Sequence, residues 1–173
     1  MFARSGATTK EVLKKIVMNL RIQEDVKEAD IITLTAGGNN LISAVKQFEK
    51  EQKESVILQA LEGCQRNMTD ILAMIDNMKS GDKKVYIVRL VNLYNPFPSV
   101  ELANKWVDLF NKHIDSFSTV EHVEVADLKY IFAGKEDSLL SKDRIHPNDA
   151  GYLEIAKALR QLGYGEVIKN SNV

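Results

Sequence analysis

Apolar residues recur at helical spacing in five stretches of the chain and as β-branched runs in three. Val12, Leu13, Ile16, Val17 and Leu20 make the first stripe, opened by Thr8 and Glu11 at the spacing of a capping box. A short helix is predicted over Leu41, Ile42, Val45 and Phe48. A long one carries Ile57, Leu58, Leu61, Cys64, Met68, Ile71, Leu72, Ile75 and Met78 inward. Val100, Ala103, Trp106, Val107, Phe110, Ile114 and Phe117 predict the fourth helix. Tyr152, Ile155, Ala156, Leu159 and Leu162 predict the fifth, stopped at Gly163. The continuous runs 31–36, 85–91 and 120–126 read as strands, the first as a parallel strand covered on both faces. Residues 23–30, 92–99 and 127–142 read as connections, and 49–54 as a solvated helix face or helix junction.

The alternation of helices and strands predicts an α/β fold, a parallel sheet with helices on both faces. With 173 residues, 45% of them hydrophobic, one domain spanning 1–173 is expected. Three strands are few for such a sheet. Right-handed crossovers carry the later strands to one side of 31–36, so an exposed parallel edge is expected there, with self-association through it. A net charge of −1 supplies no basic field for nucleic acid. The single cysteine, Cys64, excludes an internal disulfide and falls on the apolar stripe of the long helix. His113 is expected on a helix surface, and His122, expected within the last strand, has no second histidine at metal-ligand spacing, so no metal is expected; no cofactor is expected either.

The chemistry-bearing residues gather at two places. Asp143 stands three residues before His146 on the loop entering the last helix, where a carboxylate can take Nδ1–H while Nε2 faces a cleft. Gly37-Gly38-Asn39-Asn40 ends the first strand, where open α/β sheets place their ligands, and the Asn39 amide can point into such a cleft.

Four blocks in order carry a resemblance: Ser-Gly-Ala-Thr-Thr at 5–9, Gly-Gly-Asn-Asn at 37–40, Leu-Tyr-Asn-Pro-Phe at 93–97 and Asp-x-x-His-Pro-Asn-x-x-Gly-Tyr at 143–152. Together they resemble the SGNH hydrolases, also called GDSL-type lipases or acylhydrolases, of the Gram-positive bacterial type. The resemblance implies a three-layer, flavodoxin-like fold acting on small-molecule, lipid or carbohydrate esters. It gives His146 the role of base, Asp143 that of its orienting acid, and Gly6 and Asn39 those of oxyanion-hole donors. Family members often carry a secretion signal or anchor, so a secreted or surface-anchored intact protein is expected.

Two departures accompany it. Asn40 stands where the family has an aspartate. The family's opening strand ending in Gly-Asp-Ser is absent from the sequence, so an N-terminally truncated member is expected, lacking the first strand and most of the second. No nucleophile is identified, because Ser5, Ser43, Ser99, Ser138 and Ser141 all lack the elbow that exposes one. Three functions remain: a serine-type ester hydrolase in the intact protein, with this chain inactive alone; a non-catalytic binding or assembly module using its open sheet edge for dimerisation or fragment complementation; or an acid-base enzyme without a covalent step.

Overall fold

In the computed structural model, which describes residues 2–81, 84–165 and 167, both halves of the expected capping box at Thr8 form. Thr8 Oγ1 accepts from Glu11 N, and the Glu11 carboxylate accepts from Thr8 N at 2.9 Å. The chain divides into two compact units, 1–32 with 36–86, and 33–35 with 87–173.

The first unit is helical. α1 (Thr9–Met18) ends earlier than its apolar stripe predicts, because the Asn19 side chain accepts from Ile22 N and starts a second helix, α2 (Leu20–Glu28). Residues 23–30, expected as a connection, are therefore mostly helix. Val17 and Leu20, expected inward, are 51% and 75% exposed, while Ile16 and Ile22 are buried. α3 (Gly38–Glu51) and α4 (Glu54–Lys79) follow, with Gln52 in a left-handed conformation between them.

α4 is the spine of this unit. Ile57, Leu61, Cys64, Met68, Ile71, Leu72 and Ile75 are all buried against α1, α2 and α3, each such aliphatic side chain contributing about 1.5–3 kcal/mol. Burial pushes the Cys64 thiol up to about 11, against a smaller opposing effect from Thr9, so it packs as a neutral apolar group. At the far end of α4, buried Lys79 donates Nζ to the carbonyls of Lys27 and Ala29, closing the C-terminus of α2 with a cation.

The strands β1 (Ile31–Leu34), β2 (Ile87–Val91) and β3 (Val123–Ala126) form one sheet in the order β1–β2–β3. β2 and β3 are parallel, with Val88 opposite Val123 and Val91 opposite Ala126. β2 is buried throughout, as its unbroken apolar run requires. β1 lies at the edge of the sheet. It is not covered on both faces: Ile31 is 42% exposed and Thr33 is exposed, so the reading of 31–36 as a fully covered strand is corrected.

In the second unit, α5 (Glu101–Ser116) buries Trp106, Val107, Phe110 and Ile114. Strand β3 begins three residues later than expected. Phe117–Thr119 form a 3₁₀ turn, and His122, with φ 68°, lies in the turn before the strand rather than inside it. The segment 127–142 is not a plain loop either; it contains α6 (Leu128–Phe132), capped by Asp127, and α7 (Glu136–Leu139). The closing helix α8 (Asp149–Gln161) buries Gly151 and Ala158, whereas Tyr152, expected inward, is 57% exposed and Ala156 is exposed. Val91, Ala126, Leu128, Phe132, Leu139, Leu140 and Ala158 make a core cluster joining sheet and helices. Above β2, the buried Arg89 guanidinium meets Glu124 at 3.1 Å and the Gly163 carbonyl at 3.1 Å, so the end of α8 is tied down by a cation.

Candidate active site

Asp143 and His146 meet as their spacing predicts. His146 Nδ1 lies 2.6 Å from Asp143 Oδ2. The two carboxylate oxygens divide the work: Oδ1 accepts from Ser141 Oγ at 3.0 Å and from the backbone N–H groups of Ile145 and His146 at 2.9 Å, while Oδ2 is left for the imidazole. The hydrogen bond from His146, followed by those from the backbone of His146 and Ile145, holds the Asp143 carboxyl well below the ordinary carboxylate range. Nε2 of His146 bonds to none of the described residues, and the side chain is 61% exposed. An imidazole whose Nδ1 is engaged and whose Nε2 is open can accept a proton and be stabilised as imidazolium.

The loop is clamped from both sides. Ser141 N and the His146 carbonyl pair at 2.8 Å, and Leu140 bridges to Pro147 in antiparallel fashion. Asn148 caps α8 by accepting from Gly151 N, while its amide donates to the carbonyls of Ser138 and Leu140. Gly151 fits because a Cβ there would lie 2.2 Å from the Leu139 carbonyl oxygen. Ser141, considered above as a nucleophile, instead braces the loop through Asp143 and the His146 carbonyl.

Tyr94, in the block 93–97, supports the pair, and Asn92 braces the elements beneath that segment. Tyr94 stacks on Phe132 with ring centroids 4.3 Å apart and donates its hydroxyl to the Ile145 carbonyl at 2.7 Å, immediately before His146. Burial, then the nearby Tyr152 and Asp143, pushes the phenol up to about 12, so it remains a donor across the neutral range. Asn92, directly after β2, is buried; its amide donates to Asp115 in α5 and to Asp127, the cap of α6, and accepts from the Leu128 N–H. The signal available in sequence was an asparagine directly after an apolar strand.

Gly6 and Asn39 belong to the first unit. Gly6 has φ 76°, a left-handed turn that glycine adopts without a Cβ penalty, and its N–H bonds to none of the described residues. Gly37, at φ 116°, turns the chain from β1 into α3. Asn39 Nδ2 donates one hydrogen to the Ala7 carbonyl at 3.0 Å, leaving the second. Asn40 Oδ1 accepts from Thr9 N at 2.9 Å, so the amide oxygen does the organising work available to a carboxylate at that position. Together these bonds tie the start of α3 to the start of α1. Among the described residues no group of three or more His, Cys, Asp or Glu side chains converges as a metal site.

A low Asp143 value has a definite pH consequence. A carboxyl lowered on folding contributes stability that is complete above its unfolded value and lost as pH falls through the folded one. The Asp143 carboxyl ¹³C resonance is expected to titrate below the ordinary 3.8, and a midpoint at or above that value in an NMR titration contradicts the hydrogen-bonded geometry.

The fold is a parallel α/β sheet with a hydrogen-bonded His–Asp pair on the loop before its last helix. The comparisons give the family. Residues 1–153 match the GDSL-like Lipase/Acylhydrolase family, and the chain belongs to it. It is 42% identical over 167 residues to the spore germination lipase LipC of Bacillus licheniformis, covering 96% of this chain and 78% of that protein. It is 24% identical over 170 residues to YpmR of Bacillus subtilis strain 168, covering 92% of this chain and 64% of YpmR. The crystal structure of the lipase Lip_vut3 from a goat rumen metagenome superposes with a TM-score of 0.89 at 43% identity, covering 96% of this chain and 79% of that one.

Proposed function

We propose that the chain carries the proton-handling and oxyanion-binding parts of a serine-type ester hydrolase, and that the attacking serine is not among its residues. The carrying observation is the 2.6 Å contact between His146 Nδ1 and Asp143 Oδ2, with Nε2 left open. In this reading Nε2 takes the proton from the attacking hydroxyl and returns it to the leaving alcohol, while Asp143 stays anionic and holds the tautomer. Gly6 N–H and the second Asn39 amide hydrogen take the oxyanion role that the family resemblance assigns; one such donor is worth about 2.7–4 kcal/mol to a developing charge. Substrates are esters, as the lipase names of LipC and Lip_vut3 suggest.

The test uses the full chain with p-nitrophenyl acetate and a fluorophosphonate probe. Expected are no labelled serine and a trace of hydrolysis, because removing one triad member leaves catalysis of about 10³–10⁴ over water. That trace, supplied by the oxyanion donors and binding, is expected to survive His146→Ala and to fall in Asn39→Ala. Hydrolysis abolished by His146→Ala with no labelled serine overturns the reading in favour of acid-base catalysis without a covalent step. A single labelled serine overturns the placement of the nucleophile outside the chain.

A further inference from the structure

The loop that carries Asp143 and His146 holds a third side chain that touches both residues. Ser141 is half-buried, and its hydroxyl oxygen lies 3.0 Å from Asp143 Oδ1 and 2.8 Å from the His146 carbonyl oxygen. A hydroxyl has one hydrogen for these two acceptors, and the carboxylate, being charged, is the stronger. The carbonyl is already served by Ser141 N at 2.8 Å. We propose, resting on the ester-hydrolase reading above, that Ser141 is a positioning residue for the base: its hydroxyl fixes the plane of the Asp143 carboxylate so that Oδ2 takes the Nδ1 proton and the Nε2 lone pair of His146 is left to receive one.

Three donors converge on Oδ1, and two of them, Ile145 N and His146 N, come from consecutive residues of the backbone. A carboxylate held only by that pair can still pivot about Oδ1, which swings Oδ2 out of the imidazole plane. The Ser141 hydroxyl arrives from the chain before Asp143, while the other two donors follow it, and a third attachment of separate origin removes the pivot. Ser141 is itself anchored by its N–H bond to the His146 carbonyl and adjoins the Leu140–Pro147 bridge. The hydroxyl is therefore delivered at a fixed point, whereas a water in its place would first have to be ordered. Among the bonds that lower the Asp143 carboxyl, the one from Ser141 ranks after those from the imidazole and from the backbone of His146 and Ile145, so what it contributes is direction more than charge stabilisation. Direction matters because the hydrogen bond at one ring nitrogen decides which nitrogen carries the proton, and a neutral ring protonated on Nε2 cannot act as the base there. The imidazole is exposed, and its contact with Asp143 is what holds it in the useful tautomer.

The test is long-range ¹H–¹⁵N NMR of the His146 ring in the full chain, at a pH where the ring carries one proton. The parent is expected to hold that proton on Nδ1, with a far-downfield Hδ1 resonance from the 2.6 Å contact. Ser141→Ala is expected to lower the ratio of Nδ1–H to Nε2–H forms roughly fivefold and to move Hδ1 upfield. Ser141→Thr, which restores a hydroxyl, is expected to recover both signals. Arg144→Ala removes the exposed ion pair to Asp137 from the same loop and no donor to Asp143, so both signals are expected to stay in place. The proposal is overturned if Ser141→Ala leaves the tautomer ratio and Hδ1 as they are in the parent, or if Ser141→Thr recovers neither. It is overturned equally if Arg144→Ala moves them as far, which makes Ser141 a brace of the loop only. Because the tautomer is read without turnover, a failed hydrolysis test leaves this result standing, and an unaltered tautomer in Ser141→Ala leaves the ester-hydrolase reading standing.

Discussion

Gly151→Ala is expected to destabilise the protein by about 2–4 kcal/mol, as overpacking against backbone, although glycine to alanine inside a helix ordinarily stabilises by about 0.5–1 kcal/mol. The reversal follows from one distance. A Cβ at Gly151 would stand 2.2 Å from the Leu139 carbonyl oxygen and 2.9 Å from Pro147 Cβ. The first neighbour is backbone and cannot rotate away. It is also committed, since it accepts from Asn148 N at 2.9 Å. Relief therefore requires α8 and α7 to part, pulling on the Asn148 cap and the Leu140–Pro147 bridge that frame His146. Gly63→Ala in α4 is the control, because nothing lies within 4 Å of its would-be Cβ and stabilisation is expected there. Urea unfolding of the two variants checks the pair of signs. Equal midpoints for Gly151→Ala and the parent chain would dispose of the close-approach account.

That glycine belongs to a stretch whose local logic was legible in the sequence. Asp143 to Tyr152 reads as acid, base, proline, cap and helix start, and the structure gives the contact, the cap and the helix in that order. The capping box at Thr8, the buried interior of β2 and the long stripe of α4 were legible for the same reason: each is decided by neighbours within a few residues or by an unbroken apolar pattern. What the sequence hid depends on partners far along the chain or on competition between two local signals. At Asn19 an apolar stripe argued for continuing the helix, while the side chain offered a new cap; the cap won, and a second helix starts at Leu20. Arg89 and Lys79 look like surface cations until the carbonyls of Gly163, Lys27 and Ala29 are brought over them. Tyr94 is one more aromatic in a proline-rich segment until the Ile145 carbonyl reaches its hydroxyl. Likewise, Gly6 and Asn39 could be named from their motifs, but the bond from Asn39 to Ala7 and that from Thr9 to Asn40 emerge only when α1 and α3 pack.

The Asn92→Asp variant, isosteric with the parent, is expected to lose about 3 kcal/mol or more at pH 7 and to regain part of it as the pH is lowered. Asn92 Nδ2 donates to Asp115 Oδ1 at 3.2 Å and to Asp127 Oδ1 at 3.0 Å, while Oδ1 accepts from Leu128 N at 2.7 Å and Lys129 N at 3.2 Å. The side chain is 2% exposed, so water cannot replace these partners cheaply. A carboxylate in its place keeps the two backbone bonds to α6 but turns both donor contacts into repulsion among three acidic groups. Asp115 already titrates above its ordinary value, chiefly because burial penalises its charge, with Asp127 adding to this and Asn92 opposing it. Removing the Asn92 hydrogens raises it further, and the new carboxyl is raised as well. Groups whose folded value is raised bind more protons folded than unfolded, so stability increases as pH falls through that window. Unfolding midpoints at pH 7 and pH 5 are therefore expected to converge toward those of the parent chain at the lower value. Asn92→Leu, which removes the charge together with all four bonds, is expected to be destabilised without that recovery, and a midpoint difference independent of pH in Asn92→Asp would show that Asp115 and Asp127 do not face it.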